Sequence, residues 1–178
     1  MRMGRDASQY HHDYVMRLLE EYNTRLRHEL GAELGLTLTE IDTAEILSCV
    51  GVGQTSRTHL AELIFRRIRT EFAKQIDDLR ARYDQGCGEE QKALQARVDA
   101  INELTQDVIV AQWLGKRKNP GVALPGEPSM RDTTPEIMRL LPATLIDWLT
   151  SIRSACYITL NLCDLTAEDV LELLYECE

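Results

Sequence analysis

Tyr10, Tyr14, Leu18, Tyr22 and Leu26 follow one another at intervals of four, with Val15, Leu19 and Leu30 beside them. Adjacent apolar residues such as 14 with 15 and 18 with 19 would point to opposite faces of a strand, whereas on an α-helix they widen a single stripe. The stripe therefore predicts a helix over residues 8–34, with Ser8 as N-cap. Gly31 and Gly35 are candidate stops, Gly35 being the better one because a left-handed C′ residue suits glycine.

The same period returns along the chain. Thr39-Glu40-Ile41-Asp42 reads as a capping box opening a short second helix, with Ile41, Ala44, Leu47 and Val50 inward. Gly51-Val52-Gly53 ends it. A long third helix, capped by Thr55 or Ser56, runs to about residue 85 through Leu60, Ile64, Ile68, Phe72, Ile76, Leu79 and Tyr83. Gly86-Cys87-Gly88 allows only a tight turn, so the fourth helix (about 89–114, through Leu94, Val98, Ile101, Leu104, Val108 and Ala111) must return beside the third. Residues 56–114 thus predict a long antiparallel hairpin.

Periodicity stops over residues 115–133, an irregular stretch holding Pro120, Pro125, Pro128, Gly121 and Gly126. Thr134-Pro135-Glu136 is a helix start. Pro142 either kinks that helix or divides it from a new one. Residues 145–163 are apolar on most faces, which predicts a central or interfacial helix. Thr166-Ala167-Glu168-Asp169 opens a last helix carrying Val170, Leu171, Leu173 and Leu174. The expected fold is all-α: one domain over residues 1–178, a compact bundle of five to six helices. A chain of 178 residues is long enough for one substantial core.

The net charge of −9 disfavours a duplex-binding role for the whole chain and favours a protein or small-ligand partner. Charge is uneven: residues 57–82 lean basic, while no Lys or Arg follows Arg153. The five cysteines form no CxxC pair, so a reducing, cytoplasmic setting is expected, with Cys49, Cys156 and Cys163 as small core hydrophobes. No apolar run reaches membrane-spanning length, and the first thirty residues lack the apolar segment of a secretory signal.

Residue chemistry offers few sites. His11, His12, His28 and His59 do not fall at metal-ligand spacing, and the nearest acid groupings, Glu29-Glu33 and Glu168-Asp169-Glu172, do not pair across helices. No catalytic residue, metal or cofactor is assigned. Gly51, Gly53, Thr55, Ser56 and Arg57 form a glycine turn opening a helix, where free N–H groups, two hydroxyls and a guanidinium can meet a phosphate or carboxylate. The lysine of a phosphate-binding loop is missing. Arg66, Arg67, Arg69, Lys116, Arg117 and Lys118 make a candidate basic face for nucleic acid or an acidic partner. Trp148, Ile152 and Ile158 are candidate interface residues. The leading expectation is a non-enzymatic interaction or assembly module that self-associates, as a homodimer. A nucleic-acid-associated protein and a small phosphate binder or enzyme are the alternatives.

Overall fold

The computed structural model describes residues 2–51, 53–123, 125, 134–152, 171, 174 and 175. It is an all-α helical bundle, with no strand among the described residues. Helix α1 (Arg2–Glu21), a π-helical stretch (Tyr22–Leu26) and α2 (Arg27–Leu34) form one uninterrupted helical run. Then come α3 (Thr43–Val50), α4 (Arg57–Gln85), α5 (Glu89–Glu103), α6 (Gln106–Gln112), a 3-10 turn (Glu136–Arg139) and α7 (Pro142–Ile152).

The predicted stripe is the centre of the molecule. Leu18, Tyr22, Leu26 and Leu30 are almost wholly buried, as are Leu60, Ile64 and Ile68 of α4, Ile109 of α6, and Leu114. Helix α6 lies against α4, α3 covers another part of α4, and α2 touches α5. Helix α2 ends at Gly35, which is left-handed, φ 65°. The Leu36 N–H reaches the Gly31 carbonyl at 2.7 Å and the Gly35 N–H reaches that of Ala32 at 3.3 Å, the two bonds of a Schellman motif. A Cβ on Gly31 would lie 2.5 Å from the Leu36 carbonyl oxygen, so the turn closes onto a bare backbone.

Beyond that turn the chain leaves the helix, with Leu36, Leu38 and Ile41 buried. Asn23, in the π-helical stretch, holds both backbone groups of Ile41. Its Nδ2 donates to the Ile41 carbonyl at 2.9 Å, and its Oδ1 accepts the Ile41 N–H at 3.0 Å. This clamp moves the second helix from its expected start. Asp42 is the N-cap, accepting from the Ala44 N–H, while Glu45 accepts from the Asp42 N–H at 3.0 Å. The capping box is Asp42/Glu45, because the Ile41 N–H and carbonyl are both taken by Asn23 and the extended Asp42 that follows is the helix cap. Ile46 becomes the buried residue of α3, and Leu47 stands exposed.

Two further expectations change, and one left open is decided. The helix predicted over 89–114 is divided: Leu104 is extended, and Thr105 caps α6 by accepting the Val108 N–H at 3.2 Å. Pro142 divides rather than kinks, since it opens α7 after the 3-10 turn. The described part of 145–163 is not central, the side chains of residues 145–151 being half-buried or exposed. The core is already filled by α1, the π-helical stretch, α4 and α6. Residues 153–163 lie outside the described residues, as does most of the predicted last helix.

Two outcomes are expected. Asn23→Ala removes both bonds to Ile41 and lowers unfolding stability by about 1–3 kcal/mol in urea titrations. Burial pushes the Tyr22 phenol from its ordinary 10.0 up to about 12, against the opposing charges of Arg67 and Arg27. Below pH 10 both folded and unfolded chains hold that proton. Between pH 10 and 12 only the unfolded chain releases it, so stability falls as pH rises, by up to about 3 kcal/mol. Melting of wild type and Tyr22→Phe at pH 9 and pH 11.5 should show a smaller alkaline loss in the variant.

Candidate interaction site

The apolar line of α4 continues past the point where the body of the protein ends. Its first half, from Leu60 to Ile68, is buried by α1, α3 and α6. Its second half packs against α5. Leu79 and Leu94 are buried there, but Ile76 remains 46% exposed and Tyr83 42%. Between the two helices lies an open cavity of about 460 Å³, lined by Phe72, Ile76, Leu79 and Tyr83 from α4 and by Leu94 and Val98 from α5. Arg80, Gln95 and Asn102 complete the lining.

This cleft is held at both ends. At the turn, Gln91 Nε2 donates to the Tyr83 carbonyl at 2.8 Å and Arg82 pairs with Glu90 at 3.3 Å. Toward the body, Arg97 donates to the Leu34 carbonyl (2.9 Å), the Gly35 carbonyl (2.7 Å) and Gln75 Oε1 (2.7 Å). One guanidinium thus ties α5 to the end of α2 and to α4. Rigid ends and an apolar middle give a preformed groove.

A second, polar groove of about 390 Å³ lies between the start of α1 and the turn before α4. Gly53 and Thr55 line it, as the anion reading requires, together with Arg5, Ser8, Gln9 and His12, which that reading did not include. Part of this corner is already engaged in hydrogen bonds. The buried Thr55 hydroxyl lies 3.3 Å from His12 Nδ1. The Ser56 N–H donates to His59 Nδ1 at 3.1 Å, and the Ser56 hydroxyl lies 2.8 Å from the same nitrogen. A nitrogen accepting a backbone N–H carries no proton, so neutral His59 holds its proton on Nε2. Gly51, with φ 58°, makes the turn, and neither it nor Arg57 lines the groove.

The basic residues are largely committed within the fold. Both carboxylate oxygens of Glu45 accept from Arg67 at 2.7 Å, which ties α4 to the cap of α3. Arg66 pairs with Glu62 one turn away. The Arg69 guanidinium stands 5.6 Å from the Phe65 ring centre. Lys118 lies 4.3 Å from the centre of the Trp113 ring and 3.3 Å from Glu29. Lys116 donates to the Val122 carbonyl at 3.4 Å, and Arg117 is exposed. Glu29 also accepts from Arg25 at 2.7 Å, and chiefly for that reason its carboxyl titrates below the usual range. Arg25 in turn donates to the Lys118 carbonyl at 2.6 Å, so the Lys116–Lys118 turn is anchored to the central helical run.

Of the candidate interface residues, Trp148 is half-buried on α7, Ile152 ends that helix, and Ile158 lies outside the described residues. Cys49 and Cys87 are free thiols, the first half-buried and the second exposed at the hairpin turn. Among the described residues no three or more His, Cys, Asp or Glu side chains gather as a metal site would require, and no helix is long and apolar enough to cross a membrane. No family model, curated protein or solved structure matches the chain.

Arg66 and Arg67 are adjacent yet should respond differently. Arg67→Glu sets like charges against Glu45 at a helix cap and should cost about 1–2 kcal/mol, whereas Arg66→Glu, in a surface pair within one helix, should cost no more than about 0.5 kcal/mol. Urea unfolding of the two variants, with Glu45→Gln completing the cycle for Arg67, measures the difference.

Proposed function

We propose that the chain is a non-enzymatic interaction module that self-associates, with the cleft between α4 and α5 as its docking surface. The observation that carries this reading is the cleft itself, with apolar walls, ends fixed by hydrogen bonds, and Ile76 and Tyr83 left in water. Exposed apolar surface in a preformed groove is the common ground of helix-in-groove recognition and of oligomer interfaces.

The alternatives have less in their favour. Arg67 and Lys118 are held by carboxylates of their own chain, which leaves fewer cations to neutralise phosphates. In the polar groove the buried Thr55 hydroxyl already lies 3.3 Å from His12 Nδ1, and neither Ser56 nor Arg57 lines it, so fewer of the expected donors face an incoming anion.

Light scattering across a dilution series should give twice the chain mass at high concentration. Ile76→Asp should return the mass to that of one chain while leaving helical circular dichroism unchanged, since that side chain is already half in water. A single-chain mass for the wild type at every concentration would overturn the reading.

A further inference from the structure

A cleft cannot be filled by an identical cleft, so self-association through α4 and α5 needs a convex apolar ridge. Among the described residues the large exposed hydrophobics are few. Leu171 is 67% exposed, Leu174 57% and Tyr175 81%. All three are helical, and a spacing of three and four is the one that shares a face on an α-helix. No other stretch of the described chain leaves three large apolar side chains in water so close together in sequence.

Charge points the same way. Arg80 is the one charged side chain lining the cleft, and it has no ion pair among the described residues. The segment carrying the ridge holds Glu168, Asp169, Glu172, Glu176 and Glu178 and contains no Lys or Arg. An apolar ridge in an acidic stretch of sequence matches an apolar groove with one free guanidinium on its wall.

We infer that the ridge of Leu171, Leu174 and Tyr175 from one copy docks in the α4–α5 cleft of a second copy, and reciprocally, to give a closed twofold dimer. The inference rests on the self-association reading and names the occupant of its surface. Each dimer then contains two cleft-and-ridge contacts. Two copies bury two clefts and two ridges and leave none open for a third chain.

The test uses full-length wild type, Leu174→Asp and Ile76→Asp, each checked for unchanged helical circular dichroism. Leu174 is exposed, so its substitution removes the ridge without touching the core. Should Leu174→Asp lose helicity, Tyr175→Asp replaces it. Light scattering is expected to give a dimer for wild type and a single-chain mass for each variant alone. An equimolar mixture should regain a dimer, weaker than wild type, because an intact cleft on one chain meets an intact ridge on the other. Arg80→Glu should raise the dimer dissociation constant about fivefold. A wild-type dimer that Leu174→Asp leaves intact would overturn the inference while leaving self-association standing. A mixture that stays monomeric would also overturn it. A monomeric wild type would overturn the self-association reading and, with it, the inference.

Discussion

Every non-proline residue brings one backbone donor and one backbone acceptor, and a segment outside the helices that buries some of its side chains must place them. Residues 36–42 meet this requirement through a side chain. Asn23 offers its amide to Ile41 as a neighbouring strand would offer a peptide group, accepting and donating at once. Tyr22 beside it donates to the Thr39 carbonyl at 3.3 Å. With Ile41 fixed, Asp42 becomes the cap of α3, Glu45 completes the capping box, and Arg67 of α4 finds Glu45. The position of α3 against α4 depends on that chain of bonds, which begins at one asparagine.

The hairpin has two regimes. Near the body α4 is packed on several sides, and its arginines are spent on internal pairs. Farther out it packs against α5, and the same apolar spacing that builds core at Leu60 and Ile64 leaves Ile76 and Tyr83 in water. Arg97 marks the boundary, bonding α2, α4 and α5 together. The outer half is therefore stiffened by polar bonds at its ends rather than by a filled interior. That combination suits a surface that receives a partner without first having to fold.

Much of this was legible from spacing alone. The stripe from Tyr14 to Leu30, the stop at Gly35 and the turn at 86–88 follow from local rules, and the structure keeps them. The break at Thr105 was not legible. An apolar period that runs on through Leu104 and Val108 hides a threonine cap between them. Periodicity also gave Phe72, Ile76 and Tyr83 the same rank as Ile64, because it reports which face a residue occupies and not whether anything covers that face. The polar pairings were hidden for another reason. Arg67 and Glu45 are 22 residues apart, and His12 and Thr55 are 43 apart. No local pattern encodes such meetings. The anion reading accordingly found Thr55 without the histidine that occupies it.

The π-helical stretch explains a regularity that ordinary helix geometry would forbid. Four residues overshoot one α-helical turn by about 40°, so positions four apart wind around the helix and cannot stay on one side for long. Yet Tyr14, Leu18, Tyr22, Leu26, Leu30 and Leu34 are all buried. An i→i+5 turn at Tyr22–Leu26 takes in one more residue than an α turn and so unwinds part of the accumulated rotation. The strict four-residue repeat and the local underwinding therefore belong together. The extra residue acts as a phase correction, keeping a pattern of the wrong frequency in step with the core over the length of the helical run.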